Sequence, residues 1–168
     1  MVDVTDAPDL AGWLIEQVAE DERVARASAG TRFGDDGDPV PASGRWSSGS
    51  PGVEDDEGRT VAACTWEDYE HTGMTDEDEL HILSWDPARV LAVCESRRRI
   101  IDCCREVTGD RDLSDYGQFG CFRNHPDAQF GCFRDDPNPM ATALAVETLR
   151  HLALPYSDRP GYQEAWRP

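Results

Sequence analysis

Apolar residues recur at helical spacing in three long stretches of this chain, and the segments between them are mostly polar, so the core must be built chiefly from helices. In the first stretch, from about Pro8 to Ser28, Leu10, Trp13, Leu14 and Val18 fall on one stripe, while Glu16, Glu20 and Arg23 fall largely outside it. Asp6 is the expected cap, with Asp9 three residues on, both near the positive end of the helix dipole. The second stretch opens at Asp86-Pro87, a capping residue followed by proline at the first helical position. It runs to about Val107 and places Val90, Val93, Cys94, Arg97, Ile101 and Cys104 on one face. The third runs from about Met140 to Leu154, with Leu144, Leu149, Leu152 and several alanines, and Pro155 ends it because proline cannot continue a helix. Thr75 and Asp78 form a capping signature for a short further helix ending near Ser84.

Between the first and second stretches the chain changes character. Residues 29–58 hold half of the 14 glycines, three prolines, serines around Trp46, and acidic groups at Asp35, Asp36, Asp38 and Glu54 to Glu57. Side chains of this kind offset little of the entropy lost on ordering, so a mobile loop is predicted there, broken at most by a short strand at Arg45 to Ser47. A strand at Arg59 to Trp66, preceded by the turn Asp55-Asp56-Glu57-Gly58, completes a possible two-stranded hairpin. Residues 108–139 form a second loop, and the aromatic tail with Tyr156, Tyr162 and Trp166 packs back over the helices. The fold class predicted is helix-dominated α+β in one domain, with three to four helices, a small hairpin and a long polar loop.

Charge restricts the partners. The chain has 34 acidic residues against 16 basic ones, all of them arginine, and a formal net charge of −18. Through Glu79 there are 21 acids and five arginines; from Leu80 onward there are 13 acids and 11 arginines. Such a chain repels nucleic acid and anionic membranes, so direct phosphate binding is disfavoured and a basic protein surface is the natural complement. Arginine without lysine is also the composition a GC-rich genome produces, and a halophilic cytoplasm gives similar acidity. No apolar stretch approaches the roughly 20 residues that span a bilayer, and no basic-then-apolar leader opens the chain, which points to the cytoplasm.

The order of His81-Ile82, Asp86-Pro87-Ala88-Arg89-Val90-Leu91-Ala92, Arg97-Arg98-Arg99-Ile100-Ile101, and Thr148-Leu149-Arg150 with Leu152-Ala153-Leu154-Pro155-Tyr156 resembles a family of unknown function, DUF6221, from actinobacteria and their phages. Glu20-Asp21-Glu22 with Ala25-Arg26, and the ending Pro160, Tyr162, Trp166, Arg167 and Pro168, extend the likeness. The resemblance implies no known activity. It does imply a zinc-like ligand set: a histidine ending the arginine-rich helix, a C-x-x-C pair and a later cysteine. This chain has Cys104 at the histidine position, Val146 at the last cysteine position and no C-x-x-C pair.

Six cysteines in an intracellular chain read as reduced thiols or metal ligands rather than as a disulfide framework. Cys64 and Cys94 have the setting of small core residues. Cys103 and Cys104 adjoin at a helix end, and Cys121 and Cys132 occupy equivalent places in a duplicated segment, Gln118 to Arg123 and Gln129 to Arg134. With His125, the set Cys104, Cys121, His125 and Cys132 could bind a structural zinc tetrahedrally, Cys103 being the alternate for Cys104. Free thiols on a loop are the other reading; a redox pair is a third, opposed by the divergence of adjacent side chains on a helix.

No phosphate-binding glycine motif, H-E-x-x-H helix or nucleophile elbow occurs, and the acidic clusters lack the glycine and terminal glutamate of a calcium loop. Arg97, Arg98 and Arg99 point to different sides of a helix, where Glu95 and Asp102 are placed to pair with them. His71, His81 and His151 are scattered. The leading functional reading is a non-enzymatic protein-interaction module, with or without a zinc staple. An acidic DNA mimic that inhibits a nucleic-acid-binding enzyme, and an enzyme using the cysteine and histidine cluster, are the alternatives.

Overall fold

The computed structural model describes residues 9–33, 35–49, 52–63, 74–108 and 139–168 of the chain. Helix α1, Leu10–Ala29, begins one residue after Asp9, whose carboxylate accepts from the amides of Ala11 at 3.3 Å and Gly12 at 3.2 Å. Those are two of the donors a helix start leaves unpaired, so Asp9 is the cap. The predicted cap, Asp6, lies outside the described residues. Further elements are the short strands β1 (Thr31–Phe33), β2 (Pro39–Pro41), β3 (Trp46–Ser48), β4 (Gly52–Asp55) and β5 (Thr60–Ala63), then α2 (Asp76–Ser84), α3 (Pro87–Thr108) and α4 (Pro139–Ala153). The fold is α+β and helix-dominated, and the chain divides into two compact units.

One unit comprises Met1–Val18 and Ser96–Pro168. Leu10, Trp13, Leu14 and Val18 are buried, as their spacing predicts, and so are Ile101, Cys104 and Thr108 on α3. On α4 the buried line is Thr142, Ala145, Val146, Leu149 and Ala153, at the three- and four-residue intervals of one helix face. Leu144, counted in the sequence with Leu149 among the apolar residues of this stretch, is instead 69% exposed, because it stands on nearly the opposite side of the helix from Val146, Leu149 and Ala153. Beyond α4 the chain tightens into a 3-10 turn at Leu154–Tyr156, with Pro155 inside it, and a second at Glu164–Trp166.

The tail returns to α1, and Trp13 receives it. The indole stands 6.3 Å from the Tyr156 ring, 5.9 Å from Tyr162 and 5.0 Å from Trp166, centre to centre, in edge-on and tilted arrangements. Such pairs contribute about 0.5–1.5 kcal/mol each beyond their burial. The indole N–H also donates to the carbonyl of Pro160 at 3.2 Å, which satisfies a polar atom that burial would otherwise strand. Tyr156 is flanked by two guanidinium groups: Arg159 lies 4.7 Å and Arg97 5.3 Å from its ring centre. Arg97 also donates to the Tyr156 hydroxyl, and Arg159 to the Gln17 carbonyl on α1 at 3.4 Å. The arginine that the helical pattern places on an apolar face therefore has a packing role, since its charge meets an aromatic face and a hydroxyl.

The other unit, Ala19–Glu95, contains the strands. β1 and β2 form an antiparallel hairpin, and β3, β4 and β5 form a three-stranded antiparallel sheet in sequence order, with Val53 of the central strand fully buried. Four of these strands fall within 29–58: β3 is the strand expected at Arg45 to Ser47, one residue on, and β1, β2 and β4 stand where composition predicted a loop. Side-chain apolarity underestimates order there, because backbone ladders and polar side chains carry much of the pairing. Ser43 N–H donates to Asp56 at 3.3 Å, and Arg45 N–H to the Ser43 hydroxyl at 3.0 Å. The predicted turn Asp55 to Gly58 joins β4 to β5 as an antiparallel hairpin, and β3 adds a third strand on the other edge of β4.

Asp55 organises that turn. Its carboxylate accepts from the amides of Glu57 at 3.1 Å and Arg59 at 2.8 Å, and from the Arg59 guanidinium at 2.8 Å. Arg59 also reaches the Ser28 carbonyl in the last turn of α1 at 3.3 Å. The start of α3 is fixed in the same way: Asp86 accepts from Arg89 N–H at 2.7 Å, and the Gly44 carbonyl takes the Ala88 N–H at 3.1 Å. Gly44 has a φ of +70°, and a Cβ there would meet Ala88 N at 3.1 Å, so a side chain would oppose both the turn and this contact.

Gly161, in the tail turn, has a φ of +85°, and a Cβ there would lie 2.9 Å from Trp13 Nε1. Gly161→Ala is therefore expected to lower stability by about 1–3 kcal/mol, read from urea or thermal melts. An unchanged midpoint would show that the tail does not depend on this turn. The Asp55 carboxyl is held below its ordinary range, first by the Arg59 side-chain hydrogen bond and then by the Arg59 backbone N–H. Its contribution is complete above an unfolded pKa of about 3.9 and is lost as pH falls through the lower folded value. Melts of Asp55→Asn and the parent chain should consequently differ at neutral pH and converge below that range; a difference that persists in acid contradicts the assignment.

Candidate functional site

α3 carries two apolar strips, not one. Besides the line through Arg97, Ile101 and Cys104 that enters the core, Ile100, Cys103 and Val107 repeat at three- and four-residue spacing on a neighbouring face. Ala141, Leu144, Ala145 and Thr148 do the same on α4. These two strips, with Cys104, Ser96 and Arg99, line an open groove of about 410 Å³. Exposed Leu144 is thereby accounted for as groove wall. Neither a carboxylate nor an imidazole is among the described lining residues.

Of the predicted zinc ligands, the structure describes Cys104 and its alternate Cys103; Cys121, His125 and Cys132 lie outside the described residues. Cys103 and Cys104 carry free thiols in different settings, the first exposed and the second 6% exposed. Burial pushes the Cys104 thiol up, and neighbouring Cys103 adds to the shift. Among the described residues no group of three or more His, Cys, Asp or Glu side chains could hold a metal ion. Of the histidines, His81 is exposed on α2, His151 is exposed 3.6 Å from Glu147, and His71 lies outside the described residues.

The acidic residues concentrate in the strand-containing unit, where Ala19–Glu95 has 19 acids and six arginines. Four of those arginines meet carboxylates of their own unit: Arg23 with Glu20 at 2.7 Å, Arg26 with Glu22 at 3.1 Å, Arg59 with Asp55 at 2.8 Å and Arg45 with Asp86 at 3.9 Å. Asp35, Asp36, Asp38, Asp56 and Glu57 are exposed, as are Asp76, Glu77 and Asp78 in the first turn of α2. Asp78 closes the predicted capping box with Thr75, and these hydrogen bonds hold its carboxyl below the usual range, the Thr75 backbone N–H first. The sequence located this charge. It missed the groove, whose signal was the position of Leu144 off the line of Val146 and Leu149.

The model of the Family of unknown function (DUF6221) matches residues 7–168, and the chain belongs to that family. No curated protein and no solved structure matches it. Among the described residues no helix is long and apolar enough to cross a membrane.

The two thiols are separable by reaction. A disulfide reagent at mildly alkaline pH should modify Cys103 ahead of Cys104, so Cys103→Ser removes a fast-reacting thiol and Cys104→Ser a slow one. Cys104→Ser should also cost about 1–3 kcal/mol in a denaturant melt, because it buries a hydroxyl where a thiol was. Equal rates for both thiols would contradict the difference in burial.

Proposed function

We propose that this member of a family without an assigned activity is a non-enzymatic interaction module whose acidic unit meets a basic protein surface. One observation carries the reading: the unit's carboxylates outnumber its arginines by 19 to six, and four of those arginines are already engaged with acids of the same unit. Among the described residues, Asp35, Asp36, Asp38, Asp76 and Glu77 are exposed. Those carboxylates stand on or beside the turn between β1 and β2 and on the first turn of the capped helix α2. A surface of this kind speeds encounter with a cationic partner and selects against anionic ones.

The test is association with a purified binding partner, first identified by cross-linking in cells and then measured at rising salt. Binding should weaken progressively as salt screens the exposed charges. A variant neutralised at Asp35, Asp36, Asp38, Asp76 and Glu77, with an unchanged circular dichroism spectrum, should bind more weakly and with a shallower salt dependence. Binding that ignores both salt and these substitutions would overturn the reading.

A further inference from the structure

α2 is a helix that buries none of its residues. It packs on β3 and β4, and Glu79, Ile82 and Leu83, the half-buried positions, repeat at the spacing of one helix face. The opposite strip runs Asp76, Glu77, Leu80, His81 and Ser84 and ends on Trp85, the residue that terminates the helix. A solvent-facing strip of this kind is ordinarily polar throughout. Here two large apolar side chains stand in it, Leu80 at 64% and Trp85 at 50% exposure. The indole face is suited to cations: the Arg89 guanidinium of the same chain lies 5.9 Å from its centre.

We infer that the outward strip of α2 is a docking surface for a basic protein segment that carries apolar side chains. This deepens the reading of the acidic unit and rests on it, adding where the partner lands and what it must carry besides positive charge. Asp76 and Glu77 attract the cationic groups and set their position. Leu80 and Trp85 then exclude water from the contact, the role in which tryptophan contributes most at interfaces. Charge complementarity favours a cationic occupant over a second copy of the chain, which would bring its own net charge of −18 to the same face.

The probes are two synthetic peptides of equal length and charge, one of arginine and serine and one of arginine and leucine, titrated calorimetrically against the full chain. The arginine–leucine peptide should bind about tenfold more tightly. Leu80→Ser and Trp85→Ala should each weaken that peptide by about fivefold or more and leave the arginine–serine peptide unchanged. Leu80→Met should restore binding, separating loss of contact from loss of folding, and Leu144→Ser in the groove should have no effect. Equal affinity for both peptides, or sensitivity at Leu144 in place of Leu80, would overturn the inference and leave the electrostatic reading intact. Absence of binding by either peptide at low salt would overturn both.

Discussion

The indole of Trp13 is the contact on which the helical unit depends most. It accepts the edges and faces of three aromatic rings that arrive from the far end of the chain, and it donates its one polar hydrogen to a tail carbonyl. Tyr156, Tyr162 and Trp166 lie in or beside turns too short to hold a core alone, so their packing depends on contacts such as this one. Removing a buried tryptophan costs about 3–5 kcal/mol, a large share of the stability of a chain this size. The arginines flanking Tyr156 extend the same contact, converting charges on α3 and the tail into packing.

The strand-containing unit relies on a different economy of forces. Its buried apolar side chains are few, and its order comes from carboxylates that collect backbone donors at Asp55, Asp78 and Asp86, and from Gly44 at the start of α3. Each carboxylate takes over N–H groups that a turn or a helix start leaves open, which is how polar segments hold regular structure without a large core. The same chemistry explains the mixed use of acid here: Asp55 and Asp86 are buried and consumed in structure, whereas Asp76 and Glu77 stay in solvent. Net charge alone does not distinguish these roles.

That distinction bears on function. Among the described residues, exposed carboxylates stand on turns and on the first turn of α2, and the lining of the groove carries neither a carboxylate nor an imidazole. The groove between α3 and α4 and the strip on α2 are both apolar surfaces left by helices whose other faces are occupied. They differ in electrostatic setting: the strip begins at two carboxylates, and the described lining of the groove includes Arg99.

Much of the architecture was legible in residue order because it depends on local chemistry. The stripe of Leu10, Trp13, Leu14 and Val18, the Thr75–Asp78 box, the Asp86-Pro87 start and the turn before β5 all follow from spacing or from capping within a few residues. The family, too, was readable from its sequence blocks. Other features depended on partners distant along the chain. Leu144 left the core because the line through Val146 and Leu149 entered it, a choice between faces that a short run of mixed alanine and leucine leaves open. Apart from β3, which matches the strand read at Arg45 to Ser47, the strands within 29–58 escaped because their hydrogen bonds are made across strands, where composition has no voice. Residue order determined which segments become helices and where the charge lies. Tertiary structure decided which of two apolar faces is covered, and which acids are consumed in holding the chain, because burial is settled only when the elements meet.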